Sequence, residues 1–307
     1  MPTYKVHGLT LVSDLPLPDV QMIEDAVVHD PVRIKAGVVP GSFPDQELVR
    51  RYYRTAPQRV LLRVKGVGRL LIEHGSTIIY ERSHDGDDAL LAANILGSGL
   101  ATIRHQRAGV VLHGASICQN GRVFLVCGQS GAGKSTVAAH ILAGDGLTLG
   151  DDVTAVGDAP DFLVHPGPSS TKLADDALRR LPHHAAQTNV ARCISGKRIL
   201  STKSIHAAEA LPLAGIVTIE RSDEPSPVSR RLDPSEALSA LHRHTFRKRF
   251  ITGDTFPVLR RKWEALAHRI PVWEIVRPGE GNTLEQVVSL THRAMERMEL
   301  EGLVEQQ

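Results

Sequence analysis

The sequence predicts an α/β protein: a phosphate-loop core preceded by a smaller, strand-rich N-terminal domain. Three observations carry that prediction. A β-branched apolar run at 123–126 ends directly at a glycine-rich loop. The loop opens a segment whose apolar residues, Val137, Ala138, Ile141 and Leu142, fall on one helical face. Ahead of these, the chain reads as short strands broken by turns. The expected division is 1–107 for the first domain and 108–307 for the second.

In the first domain, 6–12 reads as one strand. The runs 60–64 and 70–72 pair across Lys65-Gly66-Val67-Gly68, and 76–80 follows Gly75. Pro16, Pro18, Pro40 and Pro44 mark loops. The carboxylates at 85–88 can cap a helix over 89–106, where Leu91, Ile95, Leu96, Leu100 and Ile103 recur at helical spacing. This domain is the natural place for acceptor recognition, although no residue in it points to chemistry.

From Gly109 the runs 110–112 and 123–126 flank Gln119-Asn120-Gly121, a hairpin signal. After the loop helix and a turn with Gly144 and Gly146, 147–149 reads as a buried strand ending at Gly150-Asp151-Asp152. A right-handed crossover would set that strand in one sheet with the loop strand, carboxyl ends at a common edge. Later come strands at 213–219 and 272–276 and helices at 235–244, 261–269 and 284–299.

Composition narrows the function classes. Hydrophobic residues at 42% and charged residues at 23% suit a packed globular core. A formal net charge of +2 is too small to imply nucleic-acid binding. Cys118, Cys127 and Cys193 lack metal-ligand spacing, and an odd number without a framework fits a reducing compartment. No basic segment followed by an apolar stretch opens the chain, and no apolar run would span a bilayer. The expectation is a soluble cytoplasmic protein with no nucleic-acid or membrane partner; self-association stays open.

Gly128-Gln129-Ser130-Gly131-Ala132-Gly133-Lys134-Ser135 satisfies G-x-x-x-x-G-K-[ST]. Its glycines permit backbone conformations that bring N–H groups inward around an anion. The following helix adds its positive end. Lys134 can reach the β- and γ-phosphates of ATP, the Ser135 hydroxyl can bind Mg²⁺, and Thr136 follows within the same turn. Of Asp151 and Asp152, one carboxylate can hold Mg²⁺ and the other can accept a proton from an attacking hydroxyl. His113, following the run 110–112, is on residues alone better explained as a core or edge residue than as a catalyst.

Three segments together resemble the HPr kinase/phosphorylase family: Leu112-His113-Gly114-Ala115-Ser116, the loop with its extra Ser130, and Leu149-Gly150-Asp151-Asp152-Val153. The likeness covers about 109–156. It implies the fold shared with phosphoenolpyruvate carboxykinase, ATP and Mg²⁺ as cofactors, and a serine hydroxyl as acceptor. By resemblance Asp151 is the general base, Asp152 the Mg²⁺ partner beside Ser135, and His113 a neighbour of the reacting phosphate. After the acidic pair, the family's Glu-Ile-Arg-Gly-Leu-Gly segment is replaced by His165-Pro166-Gly167-Pro168-Ser169-Ser170-Thr171-Lys172. That departure, with Gly8-Leu9 and Ser13-Asp14-Leu15-Pro16-Leu17-Pro18, is similar to the divergent branch that phosphorylates the C-terminal serine of lasso-peptide precursors. The implied partner is a peptide or small protein. HPr, free serine, or no acceptor at all are the competing readings.

Three further segments are candidates on weaker grounds. The stretch 166–172 could contact phosphate or be a surface loop. Lys197 and Arg198 could stabilise a transferring phosphoryl group, but exposed cations are common. The basic run His242-Arg243-His244-Thr245-Phe246-Arg247-Lys248-Arg249 could grip a carboxylate or form a solvated helix face.

Overall fold

The computed structural model describes the chain apart from residues 25–27, 143–145, 174, 176–189, 195–196 and 305–307, and the side chains of 190–197 and 303–304. It is a mixed α/β structure of two compact units. The first comprises Met1–Val111 and Phe246–Arg261, the second Leu112–Thr245 and Lys262–Gln307. The expectation of an unbroken second domain over 108–307 is therefore corrected: Phe246–Arg261 returns to the first unit. Phe250 explains why. It is 1% exposed, sits edge-on to Tyr53, and joins the main core of that unit. Burying such a side chain is worth about 2–3 kcal/mol.

The first unit is built on a nine-stranded sheet. The run expected as one strand at 6–12 is a hairpin instead. Thr3–Val6 and Leu9–Ser13 pair antiparallel, and His7 and Gly8 both take positive φ at the turn. Arg59–Val64, Gly68–Glu73 and Thr77–Arg82 form the expected meander. Val60, Leu70, Ile72 and Ile78 point to one face and pack with Leu91, Ile95, Leu100 and Ile103. Those four lie on a helical path through Asp88–Asn94, a π-helical turn Ile95–Gly99, and Leu100–Gln106. Asp87 caps it, accepting from Ala89 and Leu90 N–H.

The second unit centres on three parallel strands: Arg122–Gly128, Leu211–Ser222 and Val272–Pro278. Gly114–Gln119 runs antiparallel beside the first, joined by the Asn120-Gly121 turn, where both residues have positive φ as a tight hairpin needs. Lys134–Leu142 and Leu284–Val304 share one core with the sheet, contributing Val137, Ala138 and Ile141, and Val287, Ala294 and Met298. Gly215 presents no side chain, and Met298 fills that space. Pro234–His244 opens with a full capping box from Asp233 and Glu236.

One topological expectation fails. Residues 147–149 do not form a sheet strand beside the loop strand. Leu147 and Thr148 make only isolated bridges, to Cys118 and His206. The parallel neighbour of the loop strand is Leu211–Ser222, far along the chain. Gly144 of the expected turn lies outside the described residues.

Candidate active site

The loop strand ends at Gly128, where φ is 158° and an added Cβ would sit 2.7 Å from the Ile219 carbonyl oxygen. Close approach of the neighbouring strand therefore requires glycine. Gly131 and Gly133 take φ of 83° and 102°, which turns the backbone into the helix. Ala132 N–H bonds Gln129 O at 3.1 Å, and Val137 N–H bonds Gly133 O at 2.9 Å, the first bond of the helix. Lys134 is 6% exposed, and its Nζ donates to Gln129 O at 3.1 Å. The ammonium is thus folded back over its own loop, where an anion seated in the loop would meet it.

The acidic pair reaches this loop by a different route from the one expected. Ser116, 1% exposed, is the anchor. Its Oγ donates to Gly150 O at 2.9 Å and accepts from Leu149 N–H at 2.8 Å. Thr148 Oγ1 donates to Ser116 O at 3.0 Å, and Gly167 N–H bonds Leu149 O at 2.6 Å. With the backbone bonds of Leu147 to Cys118 and of Thr148 to Ile205 and Ala207, these bonds do for 147–150 what a sheet ladder would have done.

Asp151 then turns one oxygen to the loop helix: Ser135 Oγ donates to its Oδ1 at 2.9 Å. Its Oδ2 accepts from Thr171 Oγ1 at 2.6 Å and from Lys172 N–H at 3.3 Å. Asp152 points elsewhere, from a left-handed backbone with φ 74°. Its Oδ1 accepts from His113 Nε2 at 2.9 Å, and Lys172 Nζ lies 3.9 Å from its Oδ2. With Asp152 ionised, His113 must carry its proton on Nε2 for that bond. The His113 backbone N–H is itself held by His244 O at 2.8 Å.

Residues 130–136, with His113, Asp152 and Lys172, line a cleft of about 460 Å³. Arg221 and Arg277 line it too, at opposed positions on the two parallel strands. Arg221 donates to Gly131 O at 2.6 Å and Arg277 Nε to Ala132 O at 3.3 Å. Burial, then the charge of Arg221, lowers the pKa of Arg277. Neither arginine makes an ion pair among the described residues. The cleft is lined by Lys134, Lys172, Arg221 and Arg277 against Asp152 and Glu280, with His113 paired to Asp152.

The structure thus brings together all of the loop residues, His113, Asp151 and Asp152. From the stretch 166–172 it adds Thr171 and Lys172. Arg221 and Arg277 escaped sequence reasoning. Their signal was a cation just past each apolar strand run, at the edge that carries the loop. Arg198 is instead exposed and tied to Asp175 at 2.6 Å, while the Lys197 side chain, Ser195 and Gly196 lie outside the described residues. Arg243 and His244 both contact Glu220. Among the described residues no group of three His, Cys, Asp or Glu could hold a metal unaided. Ser135 and Asp151 fit a cation that takes its remaining ligands from phosphate and water, as Mg²⁺ does.

Fold and site together define a mixed α/β protein whose glycine-rich loop shares one cleft with a carboxylate–histidine pair. The chain is similar to the Hpr(Ser) kinase/phosphatase from Coxiella burnetii, at 12% identity and a TM-score of 0.31, over 62% of this chain and 98% of that one. No protein-family model matches the chain. No curated protein matches it. Among the described residues, no helix is long and apolar enough to cross a membrane.

Proposed function

We propose that this chain is a cytoplasmic ATP-dependent serine kinase that transfers the γ-phosphate to a hydroxyl of a peptide or small protein. One observation carries the reading. The Ser135–Asp151 contact and the His113–Asp152 pair, both at 2.9 Å, stand beside the glycine loop at one cleft.

The loop N–H groups and Lys134 hold the β- and γ-phosphates. Lys134 leaves Gln129 O to do so, which exchanges a neutral acceptor for a charged one. Ser135 and Asp151 would hold Mg²⁺, which would supply positive charge to offset that of the phosphate oxygens. Asp152 takes the proton of the acceptor hydroxyl as its oxygen bonds to the γ-phosphorus. The bond from that phosphorus to the bridging oxygen breaks, and ADP departs with the electron pair. His113 orients the Asp152 carboxylate, and Arg221 and Arg277 hold the loop by the Gly131 and Ala132 carbonyls. This division of labour exchanges the roles that the family resemblance suggested for the two aspartates.

The C-terminal serine of a lasso-peptide precursor is the acceptor we propose. Its support is the sequence likeness and the His165-Pro166-Gly167 departure after the acidic pair. The test is phosphoryl transfer read by intact mass, with Mg²⁺, ATP and separately a precursor peptide ending in serine, HPr, and free serine. Phosphate on the terminal serine alone supports the proposal. Transfer to HPr or free serine replaces the acceptor, and ATP binding without any transfer removes the kinase reading.

A further inference from the structure

Three neighbouring strands of the first unit carry a row of charge on one face. Arg63 stands directly opposite Arg69, and Arg69 directly opposite Glu81. On the other flank the Arg63 N–H bonds Tyr52 O at 2.8 Å, which extends the row to Tyr52. Two residues along each strand lie Arg54 and its partner Leu61. Leu61 belongs to a small apolar cluster with Val39, Phe43, Ala56 and Leu71, so the row lies on that face and not on the main core.

The row floors a groove of about 630 Å³ that Arg50, Arg51 and Lys65 also line. Glu81 is the one carboxylate lining it, and it is already engaged by Arg69 at 2.7 Å and by Val39 N–H at 2.7 Å. Among the described residues Arg54 bonds the Gln46 amide oxygen, at 3.4 Å, and Arg50 the Val49 carbonyl, at 2.9 Å. Like charges directly opposed across a strand pair are destabilising. Arg63 against Arg69 is such a pair, and an anion placed between them would remove the repulsion.

We infer that this groove docks an acidic segment of polypeptide. The arginine forks suit carboxylates. Leu48–Val49 ends the strand order, so a peptide has a backbone edge to pair with, which a nucleic acid cannot use. Val49 and Tyr52 are exposed at the rim and suit apolar side chains set between acidic ones. The Arg51 guanidinium, 5.2 Å from the Tyr52 ring centroid, already covers a face on which a base would stack.

The test measures binding alone, without ATP, so its result is independent of the kinase reading. A fluorescein-labelled Glu-Leu-Glu-Leu-Glu-Glu peptide is titrated with the full chain at physiological salt, beside a labelled oligothymidylate of equal charge. The expected result is tighter binding of the peptide, weakened about tenfold or more in Arg54→Gln/Arg63→Gln and largely kept in Arg63→Lys. Both variants should bind ATP as the parent does, and Arg63→Gln should melt no lower, because it relieves a repulsion. Unchanged peptide binding in the double variant overturns the proposal. So does tighter binding of the oligothymidylate. Self-association that the double variant abolishes would make a second copy the occupant and overturn it too.

Discussion

Asp152→Asn separates the two aspartates. Asparagine keeps the size of the side chain, and its carbonyl oxygen can still accept from His113 Nε2, now at 2.9 Å from Asp152. Asparagine also tolerates the left-handed backbone, φ 74°, better than most residues, so no new strain is introduced. The lost charge faces Lys172 Nζ at 3.9 Å, with both side chains about a third exposed. A pair so exposed is worth less than about 1 kcal/mol of stability. Losing the proton acceptor costs about a hundredfold or more in the chemical step, near 2.7 kcal/mol of barrier. The fold should survive and the turnover should not. Asp151→Asn should behave differently, raising the Mg²⁺ needed for half-maximal rate about tenfold or more, since it removes the charge beside Ser135. The assay is steady-state transfer across a Mg²⁺ titration, with ATP binding measured in parallel. A wild-type rate in Asp152→Asn, with Asp151→Asn inactive at saturating Mg²⁺, would refute this assignment and return the base to Asp151.

Gly128→Ala should lose about 1–3 kcal/mol in chemical denaturation and most of its ATP affinity, because the added methyl meets the Ile219 carbonyl at 2.7 Å. Burial pushes the Cys118 and Cys127 thiols up to about 12, so native protein at pH 8 should expose at most one of its three cysteines to a thiol reagent, and all three after unfolding. The Glu220 carboxyl is held below its ordinary value, first by the His244 hydrogen bond, with Arg243 adding to it and burial opposing. Its folded pKa is the lower one, so its stabilisation is full above the unfolded value of about 4.3 and is lost as pH falls through the folded value. Melting curves should show wild type well above Glu220→Gln at pH 6 and the gap closing towards pH 3; a gap that stays constant would contradict this coupling.

What the sequence made legible was local. The glycine loop, the Asn120-Gly121 hairpin, the meander over Arg59–Arg82 and the terminal helix each follow from residues close together in the chain. The sheet order did not, because parallel pairing joins distant segments. Val123 to Gly128 finds its partners in Leu213 to Ile219, and nothing in either run names the other. The same holds for Phe250, an ordinary aromatic in a basic stretch until it is seen in the first unit's core. The hairpin Thr3–Val6/Leu9–Ser13 was hidden because His7 and Gly8 interrupt an otherwise continuous apolar alternation, and only their positive φ shows the reversal.

The acidic pair meets the loop helix at Ser135 by a route other than the expected strand. A short apolar run before Gly150 resembles a buried strand, and a strand would carry the carboxylates to the sheet edge. The chain instead holds 147–150 by scattered backbone bonds to Cys118, Ile205, Ala207 and Gly167, and by the buried Ser116 hydroxyl, which accepts from Leu149 N–H and donates to Gly150 O. The consequence reaches the chemistry. A sheet strand alternates its side chains, one to each face, with fixed pleat. A segment outside a regular ladder can bend, and here it does: Asp151 faces Ser135 while Asp152, in the left-handed region, turns to His113. Two adjacent carboxylates thereby serve two different neighbours at one cleft. That separation is the geometry on which the proposed assignment rests, with Asp151 beside Ser135 for a cation and Asp152 beside His113 for a proton.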